Sequence, residues 1–231
     1  MKITWFGQAA FLLESEETGL RVITDPYTPE LLGFAPIAES ADVVIRSSPG
    51  DEAHCRADLI PGSPAIAEAL EAAETEPDGI GRGEAGGLAF ESILAAEGPN
   101  RPSGDDPDQN AMYRFTLDGM RIAHMGDVGN DLTDRQVEFL SGCDVLLALA
   151  GGGLVVSLTE LDRVIRAARP RVVIPMHFRT LNYRPRNGHW IGDFLSFWDE
   201  GECDYSFGPH HTLRRDDLPE PTRVLVMDYL R

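Results

Sequence analysis

Lysine, cysteine and long apolar runs are scarce in this 231-residue sequence. Lys2 is the single lysine, and there are three cysteines, Cys55, Cys143 and Cys203. An odd number of widely spaced cysteines excludes a disulfide framework and a CxxC metal knuckle. No run of 18 apolar residues occurs, so no segment reads as a membrane-spanning helix. The opening Met1-Lys2-Ile3-Thr4-Trp5-Phe6-Gly7 enters a strand pattern directly, without the basic, apolar, small-residue order of a signal peptide. The expected location is cytoplasmic. Positive charge is also in deficit: 20 Lys and Arg stand against 38 Asp and Glu, a net charge of −18. That sign argues against nucleic acid as a partner and against anionic membrane surfaces. Its plainest effect is to keep the protein soluble.

What is present is a patterned globular chain. Hydrophobic residues make up 42 %, enough for a sizeable core. No repeat, low-complexity tract or clean boundary interrupts it, so one domain over residues 1–231 is expected. Residues 3–13 read as strand, turn, strand, with Gly7 at the break. Further short strands are expected over 20–24 and 42–46. The Ala-Glu-Leu composition of 64–73 predicts a helix, and the Gly- and acid-rich 75–87 a loop. A strand follows over 88–95, and 97–110 reads as a surface loop. Asp118-Gly119 predicts a hairpin between strands 111–117 and 120–125. Strands at 145–150, 171–177 and 222–227 then alternate with helices at 134–141, 159–168 and 190–198. Strands first and mixed elements later suggest two sheets packed face to face with helices outside, an α/β protein in αββα layers.

The strand Arg121-Ile122-Ala123-His124-Met125-Gly126-Asp127 organises the rest. A carboxylate at the end of a buried strand sits where α/β folds place their chemistry. Turn chemistry alone also accounts for a Gly-Asp there. Val173-Ile174-Pro175-Met176-His177 ends likewise, in an imidazole, the commonest metal-binding side chain; a strand-end histidine can equally satisfy a backbone carbonyl.

Four stretches together resemble one family. They are Trp5-Phe6-Gly7-Gln8-Ala9-Ala10-Phe11-Leu12, Ile23-Thr24-Asp25-Pro26-Tyr27, Ile122-Ala123-His124-Met125-Gly126-Asp127 and Val173-Ile174-Pro175-Met176-His177. In this order and spacing they are similar to the metallo-β-lactamase superfamily, in the branch of L-ascorbate-6-phosphate lactonase and related zinc-dependent hydrolases. The resemblance implies a four-layer αββα sandwich with metals at the sheet ends.

The departures concern the ligands. The family's His-x-His-x-Asp-His segment aligns with Ser48-Pro49-Gly50-Asp51-Glu52-Ala53, and His54 stands one position late. Gln8 replaces the histidine of the opening motif. A later histidine is replaced by Glu97, or by Ala96 in the neighbouring register. By the resemblance, one metal would rest on the positions of Ser48, Gly50 and Glu97. Serine and glycine offer no imidazole, so that zinc site is expected to be lost. The other would rest on Glu52, Ala53, Asp127 and His177. Two carboxylates and one histidine remain there, a set compatible with one divalent ion such as manganese, iron or zinc, while a full dinuclear zinc centre is not expected.

Two function classes follow. One is a metal-dependent hydrolase that is impaired or works through one altered metal site. The other is a non-catalytic descendant that binds a small ligand or a partner. Asp127 and His177 are the catalytic candidates, with Glu52 added as a metal ligand. Gln8, Ser48, His54, Glu97 and Arg179 are pocket candidates. His54 can swing into the place of Ala53 or point elsewhere, and a solvated side chain is the alternative for Glu52. Arg179 and Arg184 are compatible with an anionic ligand, although surface arginine is the default. The aromatic segment from Phe194 to Phe207 carries more apolar surface than one short helix needs, so a homo-oligomer is expected, through that segment or through the acidic outer helices.

Overall fold

The computed structural model describes residues 1–68, 70–98, 109–153 and 155–230. The chain opens on β1 (Lys2–Gly7) and β2 (Ala10–Glu14), an antiparallel pair. Their turn is left-handed, with φ of 112° at Gly7 and 50° at Gln8. A Cβ on Gly7 would stand 2.7 Å from the Phe34 ring, so only glycine permits this approach. β3 (Arg21–Thr24) pairs with β2, and the single turn α1 (Pro29–Leu32) ends on Gly33 in the left-handed region. β4 (Val43–Ile45) and β5 (Ala65–Ala67) then add in parallel. After α2 (Leu70–Thr75) come β6 (Ile80–Ala85), β7 (Leu88–Ala96), β8 (Gln109–Leu117) and β9 (Met120–His124), an antiparallel meander.

Parallel crossovers follow. α3 (Asp134–Leu140) starts at a reciprocal cap: the Gln136 N–H donates to Thr133 Oγ1, and the Thr133 N–H donates to Gln136 Oε1. β10 (Val145–Leu149), α4 (Leu158–Ala168, opened by Ser157) and β11 (Val172–Met176) complete a βαβ unit. The rest comprises α5 (Ile191–Leu195), β12 (Cys203–Tyr205), β13 (His210–Thr212) and β14 (Arg223–Val226). One sheet has the order β13-β1-β2-β3-β4-β5 and the other β12-β14-β11-β10-β9-β8-β7-β6. Buried apolar residues from Met1 to Tyr229 form one cluster, with Trp5, Phe6 and Phe11 from the first sheet and Met112, Tyr113 and Met120 from the second fully enclosed. The expected α/β sandwich is the fold observed.

Several local expectations differ from the structure. Residues 64–73 hold β5 and the start of α2 instead of one helix, because pairing with β4 overrides the helical preference of alanine. Within 75–87 the expected loop contains β6. Its Gly83 lets the Phe90 ring lie across the backbone, where a Cβ would be 2.5 Å away. β12 and β13, three residues each, carry no periodic signal and were not anticipated. Most of the loop expected over 97–110 lies outside the described residues. Phe194 is buried in the core and Trp198 lies under Arg166, which leaves Tyr205 and Phe207 as the exposed part of the aromatic segment. Among the described residues no helix is long and apolar enough to cross a membrane.

Strand direction places the site. In the first sheet β1, β3 and β4 end on one side, which gathers Gln8, Asp25 and the 46–54 loop. In the second, β7, β9, β10 and β11 end together, which gathers Glu97, Asp127, Gly151 and His177. The opposite end carries the β2–β3, β6–β7 and β8–β9 turns.

Candidate metal centre

Asp127 is fixed from the backbone up. Gly126 has a φ of 64°, and its missing Cβ would stand 2.4 Å from Asn110 Oδ1 and 2.5 Å from Ser47 Cβ. The Asp127 N–H donates to Asn110 Oδ1 at 2.8 Å, and Asn110 Nδ2 donates to the Met125 carbonyl at 3.2 Å. Beneath this turn a fully buried group ties the two sheets together. Asp25 accepts from the Ser47 N–H and hydroxyl at 2.7 Å each, and His124 Nε2 is 2.7 Å from Asp25 Oδ2. His177 takes a left-handed φ of 62°, and its N–H donates to the Gln8 carbonyl at 3.0 Å.

These strand ends bring two imidazoles and a carboxylate together. His177 Nε2 lies 3.1 Å from Asp127 Oδ1, and His54 Nδ1 lies 3.7 Å from Asp127 Oδ2. The His54 and His177 rings stack, with centroids 5.5 Å apart and planes at 9°. His54 turns inward because the Asp51 side chain accepts from the Ala53 N–H while its carbonyl accepts from the His54 N–H. His54 Nδ1 is then held 2.7 Å from Asp51 Oδ2. Glu97 enters from the end of β7. There the Gly129 N–H donates to the Ala96 carbonyl, and a Cβ on Gly129 would stand 1.6 Å from the Glu97 carbonyl oxygen.

The electrostatics follow from burial and neighbours. Burial alone would lower the His54 imidazolium, but Asp127, Asp51 and Asp25 push it up to about 10. Burial would raise the Asp127 carboxyl, yet His54 and His177 hold it down at about 2. Asp51 is likewise held low against its burial by His54. Burial pushes Glu97 up to about 8, with Ser48 and His54 opposing and Asp127 adding to the rise.

A cavity of about 320 Å³ opens above this cluster, lined by Gln8, Asp51, His54, Glu97, Asp127, His177 and Tyr183 among others. Of the residues expected in the site, Gln8, His54, Glu97, Asp127 and His177 are therefore brought together. Ser48 is buried next to Glu97 without lining the cavity. Glu52 is not brought in: its side chain is 64 % exposed, and its carboxylate accepts from the Thr28 hydroxyl at 3.3 Å. His54 takes its place among the residues that could hold an ion, because the Asp51 turn directs that histidine inward while Glu52 stays exposed. Arg179 is also elsewhere, with its guanidinium 4.8 Å from the Trp190 ring centre. Sequence reasoning missed Asp51 and Tyr183. The Asp51-x-x-His54 spacing was the available signal for the first; Tyr183 has none nearby.

The donor set fits one divalent cation. One ligand atom from each of His54, Asp127 and His177 lies within 4.8 Å of the others, and imidazole with carboxylate suits zinc, iron or manganese. Glu97 Oε1, at the cavity, is buried without a hydrogen-bond partner among the described residues. A second group, Asp51, Glu97 and Asp127, shares Asp127 but contains oxygen ligands alone.

Comparison with known proteins places this arrangement. The profile of the beta-lactamase superfamily domain matches residues 2–177. A metal-dependent hydrolase of Archaeoglobus fulgidus is 27 % identical over 202 residues, covering 78 % of this chain and 84 % of its own. A metal-dependent hydrolase of Methanosarcina mazei is 24 % identical over 201 residues, covering 79 % and 85 %. A solved metallo-β-lactamase superfamily structure from Thermotoga maritima superposes with a TM-score of 0.75 at 28 % identity, covering 99 % of both chains. A match running from the first strand to His177 establishes that the chain belongs to the beta-lactamase superfamily.

Proposed function

We propose that this protein is a metal-dependent hydrolase that acts as one domain through a single altered ion site made of His54, Asp127 and His177. The convergence of their three ligand atoms within 4.8 Å carries the reading. Relatives called metal-dependent hydrolases support the reaction class. An ion held there supplies Lewis-acid activation of water and of the substrate's reacting group. Asp51 holds the His54 ring through Nδ1, and Gln8, whose Nε2 is 2.5 Å from His177 Nε2, stands against the second imidazole. Burial favours a proton on the Glu97 carboxyl in the ion-free fold, and from the cavity wall Glu97 could give it to a leaving oxygen. The all-carboxylate second group offers no imidazole, so two zinc ions are not expected.

Hydrolysis of simple esters and lactones with and without manganese tests this reading. Activity should be low in the protein as isolated and rise with the ion, and Asp127→Ala should abolish the rise. Strong turnover in the presence of a chelator would refute it. The contacts of His177 with Gln8 and of His54 with Asp51 favour a second reading, in which the imidazoles are satisfied internally and the fold binds a small ligand without catalysis. Under that reading no ion raises activity. A cytoplasmic location and self-association through the exposed Tyr205 and Phe207 complete the proposal. A strict monomer in light scattering would remove the last part.

A further inference from the structure

We propose that the substrate of this site is a small uncharged molecule with an apolar body, and not one that carries a phosphate or carboxylate; this rests on the hydrolase reading above. The wall over the ion ligands is apolar, formed by Leu31, Leu32, Val155, Pro185 and the Tyr183 ring. Among the described residues lining the cavity there is no arginine or lysine.

Arg184, Arg179 and Arg56 are engaged elsewhere, and Arg186, between the lining residues Pro185 and Asn187, is exposed and does not itself line the cavity. The Arg184 guanidinium donates to the Glu30 carbonyl, and its stem packs against Gly33. Arg179 lies on the Trp190 ring, and Arg56 is bound to Thr28 and Asp58. Sites for anionic groups are built from guanidinium forks, lysines or helix N-termini. Here the floor is acidic instead, with Asp51, Glu97 and Asp127 together.

The ion's own charge does not reverse this. The carboxylates of Asp51 and Asp127 match the two charges of a divalent ion, leaving no surplus to attract an anion. An anionic substituent would lose its hydration against an apolar wall and gain no counter-charge. A neutral ester or lactone loses little there. The cavity, about 320 Å³, is at the small end of ligand pockets. In the reaction, water oxygen bonds to the carbonyl carbon and the acyl C–O bond breaks. The leaving oxygen takes one proton, and the acid formed releases another.

A matched pair of ligands tests the proposal: an alkyl γ-lactone, and the same lactone bearing a phosphate on its side chain. Hydrolysis is compared in the manganese-loaded protein. The corresponding inert cyclic ethers are compared by ligand-observed NMR, a readout that needs no turnover. The neutral member should be favoured by at least about tenfold in kcat/KM and in affinity, since the anion loses its hydration against the apolar wall without gaining a counter-charge from the lining. Asn187→Arg, which adds a cation to the lining, should shift both ratios toward the phosphate by about the same factor. Equal or better binding of the phosphorylated ether, or no binding of the neutral ether, overturns the inference. Selective binding of the neutral ether without hydrolysis by any ion supports the selectivity and refutes the hydrolase reading instead.

Discussion

Replacing Gly126 with alanine should damage both the fold and the ion site, and the magnitude can be worked from the turn. Gly126 has a φ of 64°, where an L-residue with a Cβ is disfavoured by about 1–2 kcal/mol. The new methyl would also meet Asn110 Oδ1 at 2.4 Å and Ser47 Cβ at 2.5 Å. Neither neighbour is free to yield, since Ser47 is bonded to Asp25 and Asn110 to both Met125 and Asp127. Forcing a methyl group into such packing costs about 1–3 kcal/mol. The expected total is about 2–5 kcal/mol, which at a slope of about 2 kcal/mol/M lowers the urea midpoint by about 1–2.5 M. Gly19→Ala is the control. Gly19 has a φ of 76° and nothing within 4 Å of its Cβ position, so it should lose only the backbone share. Ion affinity should fall in Gly126→Ala and not in Gly19→Ala, because the Asn110 contact that aims Asp127 is displaced only in the first. Equal losses of stability in the two variants, or unchanged ion affinity in Gly126→Ala, would refute the reasoning.

Three further outcomes are expected. Asp25→Ala leaves His124 Nε2 and the Ser47 hydroxyl without their buried partner and should cost about 3–5 kcal/mol in urea denaturation; a loss below about 1 kcal/mol would mean that the group does not brace the sheets. His54 titrates near 10 in the ion-free fold, above its ordinary 6.5, so the stability it contributes is full below pH 6.5 and is lost as pH rises through about 10. Thermal melting of ion-free protein should therefore fall between pH 7 and 10, and Asp127→Asn should flatten that slope. Glu97 titrates near 8 in the ion-free fold and a bound cation lowers that value, so the alkaline limb of activity should lie below pH 8, and Glu97→Gln should lower kcat and remove that limb.

The strands that end in Asp127 and His177 were legible because each is a short apolar run stopped by a functional group, and sheet packing turns such runs into neighbours. The hairpin at Asp118-Gly119 was legible for a local reason: its turn needs left-handed backbone, and both residues have positive φ. β5 was not legible, since nothing in Ala65-Ile66-Ala67 announces the parallel partner that holds it. His54 illustrates the same limit within the site. Its offset by one residue from the family spacing argues against a ligand role only if the loop keeps the family's path. The Asp51 turn directs the side chain of His54 into the cavity while that of Glu52 stays exposed. Tyr183 reaches the cavity from the segment after β11, a long-range approach that no spacing encodes.

Equilibrium dialysis of metal-stripped protein against manganese and zinc, with the bound metal counted per chain, tests the single altered site most directly. The account predicts one equivalent at saturation for the unaltered protein and none for His54→Ala combined with Asp127→Ala. Two equivalents of zinc, or full binding in the double variant, would contradict it.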